Sequence, residues 1–200
     1  MKNSDYWKNK WSSRPQEPAN SFAVNSYKLI KVKNKKSILD LGCGDGRDSL
    51  YFFNKGLKVT AVDFSPSGIK KLQSQNLKIN CVLSDIRKIK FPKNSFDVIY
   101  AHLSLHYFDD KNTTKIFDNL YQILKNGGLL FIKCKSTDDV LFGKGKKIAE
   151  NMYEKGHTRH FFSKEYMAEK LEKFKIIKIR KTSSVYHDDK SNFIEGIATK

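Results

Sequence analysis

Acidic residues are scarce in this 200-residue chain. Its 21 Asp and Glu stand against 38 Lys and Arg, for a formal net charge of +17. A charge of that size points to anionic partners, nucleic acid among them. The lysines are spread along the whole chain, however, with only mild clusters at 31–36, 144–147 and 170–181. That spread reads as a solvated basic surface, and no RGG tract, zinc knuckle or RNA-binding module accompanies it. Cysteine is equally scarce. Cys43, Cys81 and Cys134 have no C-x-x-C spacing, which excludes a disulfide framework and points to reduced thiols. No apolar run approaches the ~18 residues of a membrane span. The stretch MKNSDYWKNK lacks the apolar centre of a secretory leader. The expected setting is therefore cytoplasmic, away from membranes. There is no internal repeat and no low-complexity tract. Hydrophobic residues make up 39%, enough for one domain with a full core at this length.

What is present is concentrated in Ser37–Asp48, SILDLGCGDGRD. Ile38, Leu39 and Leu41 form a short apolar run that ends in Gly42, Gly44 and Gly46, and a helix-like segment follows at once. A buried strand that ends in a glycine turn at a helix N-terminus is a ligand-binding device. Backbone can approach the ligand closely, and the helix start presents unpaired N–H groups. The dinucleotide fingerprint G-x-G-x-x-G needs a glycine at position 47, which is Arg47. The pattern here is G-x-G-x-G, with Asp40 two residues before the first glycine.

The chain alternates from this point. Ser37–Leu41 is the first expected strand, and a helix over about Arg47–Lys55 turns Leu50, Phe52 and Phe53 inward before Gly56 stops it. Lys58–Val62 is a strand that ends in Asp63. Ser65 caps the next helix, with Pro66 at its first position. Strands are expected at Ile79–Leu83, before Asp85, and at Phe96–Tyr100. The apolar residues Ile116, Phe117, Leu120, Ile123 and Leu124 give a helix over Lys111–Lys125 one buried face. Asn126-Gly127-Gly128 ends that helix, and Leu129–Cys134 is the fifth strand. The segment Lys146–Tyr153 reads as a helix, Ser163 caps another, and Phe174–Arg180 alternates as a strand. Asp188–Asn192 reads as a polar turn before a last strand, Phe193–Thr199. Strand–helix alternation of this kind means a parallel sheet with helices on both faces. Residues 1–36 read as an N-terminal helical cap, with Tyr6, Trp7 and Trp11 at helical spacing and a second short helix over Asn20–Ile30.

The motif Asp40-x-Gly42-x-Gly44-x-Gly46, Asp63 after the second strand, Asp85 after the third, SFDVIYAHLSLHYF (Ser95–Phe108) and LKNGGLLFIK (Leu124–Lys133) occur in order. Together with Arg159–Ile179 they resemble the class I S-adenosylmethionine (SAM)-dependent methyltransferases over about Lys36–Lys200. Tellurite-resistance-type and related small methyltransferases are the most similar members. The resemblance implies an α/β fold: a Rossmann-like, doubly wound, mainly parallel seven-stranded sheet with a final antiparallel strand. The methyltransferase domain would span 37–200, with 136–160 as an insertion on the substrate side. The implied cofactor is SAM, lying across the carboxyl ends of the strands. Backbone of Gly42, Cys43 and Gly44 would meet its methionine portion, and Asp40 would hold the ammonium or the loop. Asp63 suits the ribose diol, because a carboxylate accepts two hydrogen bonds. Phe64 and Ile86 would sandwich the adenine, whose amino group falls to Asp85. Ala101 would lie beside the cofactor, and Arg14 or Arg47 would take the carboxylate.

Methyl transfer needs orientation more than acid–base chemistry, and a base only where the acceptor must lose a proton. His106 and Tyr107 are the candidates for base or acceptor-orienting group, while His102 reads as structural. Metal binding by His102, His106, His157 and His160 is a rival use without a carboxylate or cysteine at fixed spacing, and no metal is expected. The N/D-P-P-Y/F/W loop of many amino-group methyltransferases is replaced by Ala101-His102-Leu103-Ser104, which counts against an adenine-N6 or glutamine-amide acceptor. Arg159, His160, Phe161 and Tyr153 are candidate acceptor contacts. The expected acceptor is a small molecule. The alternatives are an RNA or other nucleic acid using the basic surface, and a SAM-binding protein without turnover.

Overall fold

A computed structural model describes residues 7, 10, 11, 15–75, 78–186 and 189–200. Tyr6 and Arg14 therefore lie outside the described residues. Helix α1 (Ser21–Val32) starts on Asn20, whose side chain accepts from the Ala23 N–H. Strand β1 (Ser37–Leu41) leads into α2 (Arg47–Asn54), β2 (Lys58–Asp63), α3 (Pro66–Gln73), β3 (Asn80–Leu83) and β4 (Phe96–His102). Then come α4 (Asp110–Ile123), β5 (Leu124–Lys135), three short strands β6 (Lys146–Ala149), β7 (Met152–Lys155) and β8 (His157–His160), α5 (Lys164–Lys170), β9 (Lys175–Tyr186) and β10 (Asp189–Thr199). The caps are local. Ser65 accepts from Gly68 N–H with Pro66 following, and Asp109 and Ser163 accept from Asn112 and Tyr166 N–H.

The main sheet has seven strands in the order β3-β2-β1-β4-β5-β10-β9. Pairings from β3 through β5 are parallel, and β10 runs antiparallel to both β5 and β9. The doubly wound sheet with its antiparallel strand is as the sequence implied. One face is covered by α1, α2 and α3 through Phe22, Ile30, Phe52, Ile69 and Leu72. The other is covered by α4 and α5 through Ile116, Phe117, Leu120, Met167 and Leu171. Strands covered on both faces read as apolar runs, which is why β1, β2 and β4 were legible. The chain winds one way from β1 to β3 and the other way from β4 onward. The switch point, where open α/β sheets leave a crevice, lies between the carboxyl ends of β1 and β4.

Three expectations are corrected. Lys146–Tyr153 is not a helix but the β6–β7 part of a separate three-stranded antiparallel sheet, β6-β7-β8. Gly145, Asn151 and Gly156 hold positive φ there, which suits tight turns and breaks a helix. The expected turn at Asp188–Asn192 is largely strand. Residues 189–192 pair with 183–186 in a long β9–β10 hairpin, while Asp188 lies outside the described residues. The helix expected to run to Lys125 ends at Ile123, and Leu124–Gly128 already belong to β5. On α2 it is Phe52 that is fully buried, against Tyr100 at 5.1 Å between rings, while Leu50 and Phe53 are half-buried.

Candidate active site

The end of β1 sets the geometry. Gly42 has φ +72°, and a Cβ there would lie 2.4 Å from the Cβ of Ser104. Ser104 belongs to the loop after β4, and its Oγ donates to the Leu41 carbonyl at 2.6 Å. Only a glycine lets the two loops cross this closely. The N–H groups of Gly42 and Cys43 both donate to Val62 O, at 2.7 and 3.0 Å. Gly44 has φ +58° and the Trp11 ring of the cap lies against it, within 2.8 Å of where a Cβ would stand. Trp11 in turn stacks on Trp7.

Carboxylates gather under this loop. Asp63, at the end of β2, accepts from the N–H groups of Gly44 and Ser65, both at 2.8 Å. It is thus the strut of the glycine loop, and burial raises its carboxyl above the usual range. Asp40 is buried in the middle of the sheet, and its recorded bond goes to Ser49 Oγ on α2 at 2.6 Å, not to the loop backbone. Burial first, and then the charge of Asp48, pushes Asp40 up to about 8. Asp48 accepts from Asn20 N–H and from Tyr100 OH, each at 3.0 Å. His102 stands beside this group, 3.9 Å from Asp48, and stacks on Tyr100. His102 therefore has structural partners.

Between the glycine loop and β8 lies a cavity of about 1050 Å³. It is larger than the roughly 300–1,000 Å³ of pockets that hold one drug-sized ligand. Asp40, Gly42, Cys43 and Gly44 line one end, with Asp63 and Phe64 beside them. Asp85 and Ile86 line the next wall, and His106 and Tyr107 the far end. Asp85 is already gripped by Arg87, whose Nε is 3.0 Å from both its oxygens. Burial would raise Asp85, but Arg87 overrides it and holds the carboxyl below its usual value. Arg47 pairs with Glu17, which precedes α1, at 2.6 Å. Ala101 is corrected: it is fully buried in β4 within the core under the cleft and does not line the cavity, because strand alternation turns its side chain to the α4 face. Arg14 lies outside the described residues.

The far end is aromatic and basic. After β4, Leu103 takes a left-handed backbone, φ +56°, and its N–H donates to Lys133 O at 2.8 Å. That bend turns the Leu105–Tyr107 3-10 turn into the cavity. His106 is 1% exposed, and among the described residues its Nδ1 has no hydrogen-bond partner. Burial, reinforced by the charge of Arg159, holds its imidazole well below the ordinary range, so it is neutral at physiological pH. Its ring lies 4.4 Å from Tyr107, which packs against Trp7 and His157 at 5.7 and 5.6 Å. Burial and then Arg159 push His157 down to about 4. Among the described residues no group of three or more His, Cys, Asp or Glu is placed to hold a metal ion. Sequence reasoning missed Ser104, Asn20 and Lys133. Ser104 matters by its contact with a distant glycine, which no local spacing reveals. Asn20 was visible only as a helix start.

Residues 38–128 match the family described as "Methyltransferase domain". The chain is 30% identical over 151 residues to the tRNA N(3)-methylcytidine methyltransferase Mettl2 of Drosophila melanogaster, covering 67% of this chain and 46% of that one. It is 30% identical over 144 residues to the probable SAM-dependent methyltransferase TehB of Haemophilus influenzae, covering 70% and 48%. The chain thus spans about half the length of these curated relatives. A crystal structure of a SAM-dependent methyltransferase from Methanosarcina mazei has the same fold, with a TM-score of 0.77 at 21% identity, covering 87% of this chain and 97% of that one. The TehB match agrees with the branch that the motifs resemble. Motif order, sheet topology and these matches coincide: residues 38–128 are similar to the methyltransferase-domain family, and the chain has the fold of solved SAM-dependent methyltransferases.

Proposed function

We propose that the chain transfers a methyl group from SAM to a small-molecule acceptor held at the His106 end of the cleft. One observation carries this reading. A single cavity has a glycine-and-carboxylate cradle at one end and, at the other, His106, whose buried Nδ1 has no hydrogen-bond partner among the described residues. The residues fit the cofactor. The Gly42–Gly44 backbone lines the cavity beside Trp11, and Asp63 keeps lone pairs beyond the N–H groups of Gly44 and Ser65, enough for a ribose diol. Phe64, 40% exposed, and Ile86 offer apolar faces for adenine. Asp85 serves the adenine amino group through the lone pairs that Arg87 leaves open. The ammonium falls to Asp40, and the carboxylate to Arg47 or Arg14.

When bound, SAM supplies an electrophilic methyl group on a sulfonium sulfur. The protein's own part is to hold the acceptor in line, an effect of up to roughly 7–11 kcal/mol. Neutral His106 accepts the proton that the acceptor loses, or orients the attacking atom, and Tyr107 packs beside it. The described part of residues 1–36 and the segment 136–160 wall the acceptor side, since Trp7 and His157 meet over Tyr107. A reducing, cytoplasmic setting suits the three unpaired cysteines. Among the described residues no helix is long and apolar enough to cross a membrane.

The test is the thermal midpoint with SAM, with S-adenosylhomocysteine and with NAD as control. Ligand at about 1,000 times its dissociation constant adds roughly 4 kcal/mol, and each kcal/mol raises the midpoint about 2–4 °C at this size. We expect a rise with SAM and its demethylated product only. No rise with either would remove the basis of every assigned contact.

A second reading is methylation of RNA. The exposed lysines Lys146 and Lys147 on β6 and Lys155 on β7 favour it, because their sheet adjoins the cleft through β8. So does the likeness to a tRNA methyltransferase. Methyl incorporation into tRNA, with binding that falls steeply with salt, would replace the small-molecule reading.

A further inference from the structure

Arg159, on β8, is a cation on the cavity wall. Among the described residues only its Nη1 is engaged, by the carbonyls of Lys155 and His157 at 3.3 and 3.4 Å. Those distances are at the long end for N–H···O bonds. Among the described residues no carboxylate forms an ion pair with Arg159. Lys133 and Lys135, which line the same cavity, are paired with Glu195 at 3.1 Å and Asp139 at 2.8 Å. Among the described residues the Nε and Nη2 of the Arg159 fork have no hydrogen-bond partner. A fork of this kind matches a planar oxyanion through two parallel bonds.

Two further observations lie beside it. His106 lines the same cavity, and among the described residues its buried Nδ1 has no hydrogen-bond partner. The charge of Arg159 reaches both His106 and His157, so the three groups share one small volume. Tyr107 and His157 add ring faces 5.6 Å apart between centroids. The two donors left on the Arg159 fork suit a carboxylate. The net charge of +17 draws anions toward the protein at large.

We infer that the methyl acceptor is a small planar carboxylate: Arg159 holds its carboxylate, Tyr107 and His157 support its ring, and its reacting atom faces His106. This rests on the reading of the cleft as a methyltransferase site. Arg159 is then the residue that selects the acceptor by charge.

The experiment uses the full chain saturated with S-adenosylhomocysteine and measures binding by calorimetry. The probes are salicylate, nicotinate and indole-3-acetate, each beside its amide, with phenyl phosphate as a dianion. We expect at least one carboxylate to bind about 10–100-fold more tightly than its amide. Arg159→Gln is expected to abolish that preference while leaving S-adenosylhomocysteine affinity within about twofold, and Arg159→Lys to restore only part of it. The retained cofactor affinity shows that the variants are folded. Equal binding of every acid and amide, a preference that survives in Arg159→Gln, or tighter binding of phenyl phosphate than of every carboxylate would overturn the inference. Failure of S-adenosylhomocysteine to bind the unaltered chain would instead overturn the methyltransferase reading on which it rests.

Discussion

The two ends of the cleft are built from opposite charges. At the glycine loop, Asp40, Asp48 and Asp63 lie under backbone that a ligand can touch, and burial raises all three carboxyls. At the β8 end stand His106, His157 and Arg159, and burial with neighbouring cations depresses both histidines. The same low-polarity setting thus raises the carboxyls at one end and depresses the imidazoles at the other. The lesson is a division of labour. The acidic end suits a ligand with a cation and a diol, and the basic end suits a proton acceptor beside an anion. Each end also has its own scaffold. The first is made of strand ends and helix starts, and the second of the bent loop after β4 and the added three-stranded sheet.

His106→Ala breaks the comparison hardest. Turnover is expected to fall about 10²–10⁴-fold, with SAM affinity within about twofold in calorimetry. Equal loss of turnover and affinity would sink the role of His106 in the chemistry. Asp63→Ala is the mirror experiment at the other end. Cofactor binding is expected to weaken about 10–100-fold through lost bonds to a charged group, and the midpoint falls as well, because Gly44 and Ser65 lose their acceptor. Acceptor affinity at saturating cofactor would be unchanged in steady-state assays.

Gly42→Ala acts where the two ends meet. It is expected to destabilise by about 1–3 kcal/mol in urea unfolding, from positive φ and the clash with Ser104. Adding Ser104→Gly removes the clash but not the φ strain, so it recovers part of the loss. Full recovery would show that backbone conformation costs nothing there.

The smallest effect is a pH slope. Asp40 titrates near 3.8 when unfolded and at about 8 when folded. Between those values the folded chain holds a proton that the unfolded chain has released. This group's contribution to stability is therefore greatest at acid pH and is lost as pH rises to about 8. Asp40→Asn is expected to flatten that part of the curve in urea titrations from pH 5 to 8. An unchanged slope would place the titration on Asp48 or Asp63.

Much of this was legible in the chain itself. The apolar runs of β1, β2 and β4, the glycines of the loop, the caps Ser65 and Ser163 and the buried stripe on α4 each depend on residues close in sequence. Local rules for turns, caps and periodicity apply to them directly. Lys146–Tyr153 misled because its composition suits a helix, whereas glycine turns and pairing with His157–His160 make strands. Such pairing is a tertiary choice that overrides weak propensity.

By itself, then, the sequence determined the fold class, the glycine loop with its carboxylates, and the position of the histidine-bearing loop, because strand order follows from alternation and short connections. The tertiary structure alone decided three things: that Ser104 presses on Gly42, that Trp11 covers Gly44, and that Arg159 shares a cavity with His106. Residues 53 apart along the chain become neighbours only when β8 folds back over the end of β4. Whether a cation is left without a counter-charge depends on what surrounds it in space, and no spacing in the chain encodes that.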